Sequence, residues 1–422
     1  MNRFLRISVY FIILLTFFTC HNSQRVVKSN LSYIYYDDPT IIHPSYRVFH
    51  LNETISTLYL QVNSSELLYS KNNPKKEFLS QLVFQVHVYD LHSENKLVVS
   101  DTVFLYDKGG PERQKFLQGK IDLNLPSGRD YYAEVTLDDQ YRMQFVQDLV
   151  LIRKKNELTD QHFMVTNTKD EIQFLDAVQV GSRLKILVSP MIGKGDVEMR
   201  HYAELLDLPA PPFAVTDVTA KNPQSDSGKI FKLDEQLSFE ITFNKRGIYQ
   251  INRANMDGNG LNLLVLGQDY PAILTVSSMV RPLRYITTKQ EYTSIKESGD
   301  VKKEIDAFWF NIAGNTERAR ETIKTYYSRV DLSNRFFTSD REGWRTDRGL
   351  VYVIYGAPNT VSKNMRGEKW IYNERVNMMS VEFNFYKVEN PFSDNDFALI
   401  RTGGYKSSWY RAIDNWRQGR IF

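Results

Sequence analysis

Apolar and polar residues alternate along much of the first 280 residues, which is the pattern of strands with one buried face. The segments 58–62, 82–88 and 131–137 each place apolar side chains at every second position. Glycine, proline and aspartate separate these segments and favour turns. Many short strands divided by turns predict an immunoglobulin-like β-sandwich over residues 30–155.

A second alternating region follows. Residues 156–170 are mostly polar and are interpreted as a linker, whereas segments 183–188 and 237–243 alternate again. Three prolines in 205–213 exclude a helix or a central strand there, so this stretch is predicted to be a connecting arm. The second β-sandwich is therefore expected over residues 170–280.

After Pro282 the spacing of apolar residues changes from that of strands to that of helices. Asp300 can cap a helix whose apolar stripe includes Val301 and Phe308, and Gly314 can end it. A second helix is expected to start at Asn315 or Thr316, strands around 370–372 and 380–386, and a closing helix near 408–416. Helices followed by an antiparallel sheet predict an α+β domain over residues 285–422. The predicted fold is thus mainly β, with two β-sandwich domains and an α+β C-terminal part.

The first residues have the composition of an export signal. Arg3 and Arg6 precede an apolar run, 7–18, that is too short to span a bilayer. Cys20 is the only cysteine in the chain and follows this run directly. The arrangement resembles the bacterial lipoprotein signal, in which residues 1–19 are removed and the cysteine is acylated; ordinary secretion is the alternative. Residues 20–29 would then form a tether, and their lack of acidic residues favours a periplasm-facing position on the outer membrane.

Composition and charge limit the classes of partner that the protein is expected to bind. Charged residues make up 24% of the chain and aromatic residues 13%, and the latter value favours β-rich structure. Removing residues 1–19 removes two arginines and no acid, so the net charge falls from +3 to +1. With this balance and no recognised motif, we expect no nucleic-acid partner. The expected partners are membrane lipid, through acylated Cys20, and other envelope proteins; no particular small-molecule ligand is indicated.

One stretch near the C-terminus, GWRTDRGLVYVIYGAPN at 343–359, concentrates residues with special conformational roles. Trp344 is a large apolar anchor. Thr346 and Asp347 can bond nearby backbone and form a turn, and Gly349 permits backbone angles that other residues resist. The candidate motif residues, structural or binding, are Gly343, Trp344, Thr346, Asp347, Arg348, Gly349, Gly356 and Pro358.

The apolar run inside this stretch predicts a strand. Val351, Val353 and Tyr355 would share one face, and Gly356 and Pro358 would end the strand. A turn that fixes this strand on the preceding helices explains the stretch without chemistry. The rival interpretation makes Asp347 a general base, with Arg345 or Arg348 binding an anion.

The motif, with the aromatic residues of the helices before it and the closing WYRAIDNWRQG at 409–419, resembles the bacterial GWxTD-domain family. The resemblance covers roughly residues 285–422. Ala357 stands where the family more often has proline. The resemblance implies a secreted or lipidated envelope protein with β-rich segments before the domain. It implies no assigned biochemical activity.

The inventory of reactive side chains argues against catalysis. No histidine lies beyond His201 and the only cysteine is Cys20, so the C-terminal domain has no residues for a Cys/His site, a Ser-His-Asp triad or a histidine-containing zinc site. A carboxylate pair, Asp347 with Glu368 or Glu382, remains conceivable for a hydrolase. We predict that the protein is not an enzyme and binds no cofactor.

Two further patterns mimic metal sites. His87 and His92 are interpreted as a strand histidine and a turn residue. The run from Asn255 to Gly260 resembles the start of a calcium loop, but Leu266 stands where the bidentate glutamate is needed. A hairpin turn is expected there instead, and no metal site is predicted.

Taken together, the sequence predicts a non-enzymatic outer-membrane lipoprotein that acts as a scaffold or adaptor of an envelope complex for assembly or export of outer-membrane proteins. The first alternative is a protein that binds glycan or peptidoglycan, because exposed aromatic rings can stack on sugars. An exposed tryptophan platform would favour it, and buried tryptophans would count against it. The second alternative is the carboxylate-based hydrolase.

Overall fold

The computed structural model describes residues 30–71, 77–93, 96–110, 115–155, 157–174, 177–214, 224–253, 256, 258–364, 366–372 and 380–420. The predicted signal peptide, the predicted acylation site Cys20 and the predicted tether lie outside these residues. Within the described part of the chain, no helix has the length and apolar character needed to cross a membrane.

The strands are β1 Ser45–His50, β2 Ile55–Asn63, β3 Leu79–Asp90, β4 Lys96–Lys108, β5 Phe116–Asn124, β6 Arg129–Asp139, β7 Gln144–Lys154, β8 Phe163–Thr166, β9 Val178–Gln179, β10 Arg183–Val188, β11 Val197–Tyr202, β12 Ser227–Phe231, β13 Ser238–Thr242, β14 Gly247–Arg253, β15 Leu261–Leu266, β16 Thr360–Asn364, β17 Gly367–Tyr372, β18 Val381–Lys387 and β19 Phe397–Leu399. The α-helices are α1 Val276–Val280, α2 Lys289–Glu297, α3 Val301–Ala313, α4 Thr316–Phe337, α5 Asp347–Tyr355 and α6 Tyr405–Arg417.

The first β unit consists of two antiparallel sheets, ordered β1-β2-β5 and β4-β3-β6-β7. Apolar side chains of both sheets meet in one core, including Leu58, Leu60, Phe84 and Val135. The alternation predicted for this region is confirmed in β3, where buried and partly exposed residues alternate along the whole strand. The N-terminal part is therefore β-rich and sandwich-like.

The second β unit pairs a three-stranded sheet, β13-β10-β8, with a five-stranded sheet, β12-β11-β14-β15-β9. The prediction of a linker over 156–170 was wrong, because β8 lies inside it and pairs with β10. All four residues of β8 are buried; a short apolar run within a polar stretch gave too little periodic signal. The hairpin predicted near Gly260 is confirmed by the antiparallel pairing of β14 and β15, although Asn255 and Asp257 lie outside the described residues.

The C-terminal part combines helices with the antiparallel sheet β16-β17-β18-β19, so its α+β character is confirmed. Asp300 caps α3 through a hydrogen bond to the Lys303 N–H, and Gly314 ends that helix in a left-handed conformation. Asn315 caps α4. These local signals worked because caps act within one helical turn.

The strand predicted for Val351, Val353 and Tyr355 was wrong, because these residues belong to helix α5. Every residue from 348 to 354 is buried. A helix surrounded by protein needs no polar face, so its sequence loses the 3.6-residue period and resembles a buried strand. The β-branched residues lower its intrinsic helix propensity only slightly, and packing overrides this.

Two segments connect the β units to this C-terminal part. Leu31 and Tyr35, assigned from the sequence to the first sandwich, are instead buried in the core beside the C-terminal sheet, and the Leu31 N–H donates to the Val361 carbonyl at 2.9 Å. The proline-rich arm 205–213 contains neither helix nor strand, as predicted. Its last residue, Phe213, packs against the C-terminal helices and sheet.

Candidate functional site

The GWxTD stretch forms a tight turn followed by a capped helix. Residues Gly343–Arg345 make one 3-10 turn, and Thr346 is the N-cap of α5. The Thr346 hydroxyl donates to the Gly343 carbonyl at 2.8 Å and accepts from the Gly349 N–H at 3.0 Å. This one side chain therefore closes the turn and satisfies an N–H of the helix.

The two glycines allow close backbone contacts rather than special backbone angles. A Cβ on Gly343 would overlap the carbonyl oxygen of Ser333 in α4, and a Cβ on Gly349 would overlap the carbonyl oxygen of Gly343. Neither glycine has a positive φ angle. The prediction of an unusual backbone angle at Gly349 was therefore wrong; glycine is needed there because a Cβ would overlap a backbone atom.

Trp344 anchors the turn in the helical core. It is 1% exposed, and its ring lies 5.8 Å from that of Tyr285, whose hydroxyl donates to the Trp344 carbonyl at 2.7 Å. Burial raises the pKa of Tyr285 well above its ordinary value. The tyrosine thus acts as a neutral hydrogen-bond donor.

Asp347 forms a buried pair with an arginine that sequence reasoning missed. Arg401 donates to both carboxylate oxygens, at 2.6 and 2.9 Å, and the Leu399 N–H donates to Asp347 at 2.7 Å. Arg401 also donates to the Ala210 carbonyl at 3.0 Å. Asp347 therefore connects α5 to β19 and, through Arg401, to the proline-rich arm.

Arg348 forms a second buried pair, with Glu368. Their side chains are 3% and 0% exposed, and Nη1 lies 2.9 Å from Oε1. The other carboxylate oxygen of Glu368 accepts from the Tyr35 hydroxyl at 2.8 Å and from the Trp370 indole N–H at 3.0 Å. Burial by itself raises the pKa of Glu368, but Arg348, Lys363 and these hydrogen bonds hold it below its ordinary value. The carboxylate is thus ionised and fully bonded.

The end of α5 is held by side chains from three other elements. Gly356 adopts a positive φ of 79° as the C-cap, and its carbonyl accepts from the Tyr372 hydroxyl at 2.9 Å. The Ile354 carbonyl accepts from Arg329 at 3.0 Å and from Trp416 at 2.9 Å. The carbonyls that a helix leaves unpaired at its end are in this way bonded inside the protein.

Pro358 lies just beyond this cap. Its carbonyl accepts from the Tyr36 hydroxyl at 3.2 Å. The predicted role of Gly356 and Pro358 in ending an element is correct, although the element is a helix.

Arg345 faces the opposite direction, towards the second β unit. It is 2% exposed and lies 3.4 Å from Glu204 and 3.5 Å from Glu342. Burial lowers the pKa of Arg345 and raises that of Glu342. These longer contacts are the loosest part of the motif's ion-pair network.

A cleft of about 490 Å³ opens next to the motif, where the loops of β14 and β15 meet α1. Its charged lining residues are Arg246, Arg281, Asp269 and Glu342. Arg281 lies 4.0 Å from Glu342 and 3.8 Å from Glu204. The cleft is polar and carries both signs of charge. Asp347 does not line it.

The carboxylates considered for a hydrolase are not gathered around an open pocket. Asp347 is bound by Arg401 and Glu368 by Arg348. Glu382 is 44% exposed and pairs with Lys369 on the neighbouring strand. None of the three lines the cleft, so the geometry gives the general-base interpretation no support.

His87 lies within β3 and His92 in the turn beyond its end, as expected. Among the residues that the structure describes, no three His, Cys, Asp or Glu side chains form a group that could hold a metal ion.

All five tryptophans are buried. Trp309, Trp370 and Trp416 are 0% exposed, Trp344 is 1% and Trp409 is 6%. They lie in the helical and C-terminal cores. They form no exposed platform for sugars, which removes the observation that favoured the glycan-binding alternative.

Comparison with known proteins gives one match of consequence. A family model described as the GWxTD domain matches residues 247–418. The match starts at the first residue of β14, so it includes the β14–β15 hairpin as well as the helices and the C-terminal sheet. No curated protein matches the chain.

Solved structures resemble the chain only in part. Bacteroides uniformis β-glucuronidase is 12% identical, with 32% of this chain and 16% of that chain covered and a TM-score of 0.18. Red sea bream transglutaminase is 10% identical, with 54% and 32% covered and a TM-score of 0.18. Salmonella alpha-2-macroglobulin is 10% identical, with 56% and 17% covered and a TM-score of 0.20.

The chain thus spans at most about a third of the length of these three proteins, and likeness of this extent carries no functional argument. The matched residues include the turn, the cap and the two ion pairs of α5 described above. Residues 247–418 are a GWxTD domain.

Proposed function

We propose that this protein is a non-enzymatic lipoprotein of the outer membrane, anchored through acylated Cys20 and facing the periplasm. In this proposal it is a scaffold or adaptor subunit of an envelope complex that assembles or exports outer-membrane proteins. Its two β units are proposed to be immunoglobulin-like sandwiches, an architecture common in binding and spacer modules.

The observation that carries the proposal is that the charged side chains of the motif bind residues from distant parts of the chain. Asp347 binds Arg401 and so reaches the arm, Arg348 binds Glu368 and so reaches Tyr35, and Arg345 faces Glu204 of the second β unit. Asp347 and Arg348 join α5, and Arg345 joins the turn before it, to different parts of the chain. Such a joint suits a protein whose task is to hold binding surfaces in fixed relation.

A surface for a protein partner is offered by β4. This 13-residue strand is at the edge of its sheet and most of its residues are exposed. Its outer edge pairs with no other strand of the described chain. Open edges of this kind accept an extended segment of another protein by strand addition.

The test is affinity purification from native membranes with chemical cross-linking, using the lipidated protein and the Cys20→Ala variant. We expect specific envelope proteins to cross-link to the wild type, and Leu97→Lys in β4 to reduce the yield. Ile230→Lys is the matched control, because Ile230 is 66% exposed on another edge strand, β12. Absence of any specific protein partner, or recovery of glycan fragments alone, would overturn the scaffold proposal.

A further inference from the structure

The outer face of the four-stranded sheet carries exposed apolar side chains at one end. The strand register places Phe104, Val83, Asp138 and Phe145 in one row across β4, β3, β6 and β7. Phe104 is 55% exposed and Phe145 is 60% exposed. Large apolar side chains exposed together on one surface commonly mark an interaction site.

Two more exposed residues lie beyond this row, towards the end of the sheet. Tyr106 follows Phe104 by two residues on the same face of β4 and is 55% exposed. Met143 lies in the β6–β7 turn with a φ of 54° and is 87% exposed. We call Phe104, Tyr106, Met143 and Phe145 the apolar end.

Two of the carboxylates near the apolar end are turned inwards, whereas Asp138 lies in the row itself, partly exposed, and accepts from the Gln140 amide at 2.6 Å. Asp107 is 4% exposed, accepts from the Tyr69 hydroxyl at 2.6 Å and pairs with Lys115. Asp139 is 0% exposed and accepts hydrogen bonds from backbone N–H groups, including that of Leu68 at 3.0 Å. Asp107 and Asp139 therefore do not oppose contact between this end and an apolar surface, and Asp138 is the one carboxylate of the row that would have to stay at the headgroup level.

The N-terminal segment passes close to this end. The Tyr33 hydroxyl accepts from the Gln147 N–H at 3.1 Å and donates to the Gln147 carbonyl at 3.4 Å. Gln147 is two residues beyond Phe145 on β7, and four residues of strand span about 14 Å to Met143. Cys20 precedes Asn30, the first described residue, by ten positions, which an extended chain spans in at most about 35 Å.

We propose that the apolar end docks on the lipid bilayer to which Cys20 is attached, with Met143 and Phe145 entering the boundary between headgroups and acyl chains. This inference rests on the anchoring part of the proposed function. Phenylalanine and methionine offer no hydrogen-bonding group to a sugar, but both gain from contact with acyl chains. A protruding turn flanked by aromatic side chains suits insertion into a surface rather than enclosure of a ligand.

The docking would also orient the chain. Because Tyr33 joins the N-terminal segment to β7, the anchor and the apolar end would contact the same membrane. The part of β4 around Leu97, seven residues before Phe104, and the C-terminal domain would then be held in a fixed position relative to it.

The test places a fluorophore at the turn. In the full-length acylated protein, Met143→Cys supplies the only free thiol for an environment-sensitive label. The protein is placed in vesicles of phosphatidylethanolamine and phosphatidylglycerol with and without doxyl-labelled phospholipid. We expect a blue-shifted emission and quenching of about twofold or more by the doxyl lipid.

Leu274→Cys is the matched control, because Leu274 is 75% exposed outside the first β unit; its label should stay unquenched. Adding Phe145→Ser should weaken quenching at position 143, whereas Phe310→Ser, at a residue 51% exposed on α3, should not. A label at 143 that is unquenched, or shielded from water without quenching by lipid, would overturn the docking, and the second result would indicate a protein partner or a second copy. The intact mass separates the two proposals: an acylated chain with an unquenched label overturns docking alone, and an unmodified Cys20 overturns anchoring and docking together.

Discussion

Removing the carboxylate of Glu368 should be one of the most damaging single changes in the C-terminal domain. In Glu368→Ala the guanidinium of Arg348 keeps its buried position, 3% exposed, without its counter-charge. The Tyr35 hydroxyl and the Trp370 indole N–H lose their shared acceptor at the same time. One substitution therefore leaves a charge and two donors unpaired in the interior.

The magnitude follows from these losses. Breaking a buried ion pair by removing one partner costs about 3–5 kcal/mol, and each orphaned buried donor costs about 1–3 kcal/mol. These costs overlap, since the cavity left by the side chain can admit water. We expect the free energy of unfolding to fall by about 4 kcal/mol, a large part of the roughly 5–15 kcal/mol that holds a domain folded.

Tryptophan fluorescence during urea unfolding isolates this domain, because all five tryptophans lie between residues 309 and 416. Glu382→Ala is the matched control: its side chain is 44% exposed and pairs with Lys369, so its loss should cost under about 1 kcal/mol. The double variant Arg348→Met/Glu368→Leu removes both charges and should regain the part of the stability that the unpaired charge costs, although Tyr35 and Trp370 still lack their acceptor. Equal midpoints for Glu368→Ala and Glu382→Ala would refute the reasoning, as would a double variant no more stable than Glu368→Ala.

Three further predictions concern pH and close packing. Two hydrogen bonds from Arg417 are the main cause that lowers the pKa of Glu291 from 4.5 to about 2. The stabilisation that they give is complete above pH 4.5 and is lost as the pH falls towards 2. Glu291→Gln should remove this pH dependence from the free energy of unfolding in urea, and an unchanged pH dependence would contradict the prediction. Burial lowers the pKa of His50 from 6.5 to about 3, so the free energy of unfolding of the β units should fall by about 3–5 kcal/mol as the pH drops through this range. Circular dichroism should show a flatter acid unfolding transition for His50→Gln. An identical transition would exclude His50 as its cause. Gly343→Ala places a methyl group against a carbonyl of α4 and should lower the free energy of unfolding in urea by at least about 2 kcal/mol. Gly299→Ala is the control, because Gly299 has open space around it and its free energy of unfolding should change little. Equal effects of the two substitutions would show that the turn can shift.

Much of the architecture followed from local signals. The cap at Asp300 and the break at Gly314 predicted the limits of α3 because capping depends on residues within one turn. The alternation in β3 predicted its buried face because side chains of a strand point to opposite sides in turn. The assignment of α5 as a strand failed because burial on all sides removes the periodic signal that separates the two.

Only some residues of the candidate site could be predicted from the sequence. The motif marked Asp347 and Arg348 as notable charges, but their partners Arg401 and Glu368 lie 54 and 20 residues away along the chain. No local pattern links such pairs. Tyr35 lies 333 residues from Glu368, and its role in the C-terminal core could not be predicted from a segment that precedes a run of strands.

The sequence alone determined the sequential order of β-rich regions and helices, the caps of the long helices and the GWxTD motif, because alternation, capping and turn chemistry act between residues close in the chain. Tertiary structure decided that the motif forms a turn and a buried helix, which arginine neutralises which carboxylate, and that residues 30–36 belong beside the C-terminal sheet. Those outcomes depend on the desolvation of charges and on the overlap of backbone atoms brought together from distant segments. Both effects contribute free energy only after folding has brought these distant segments together.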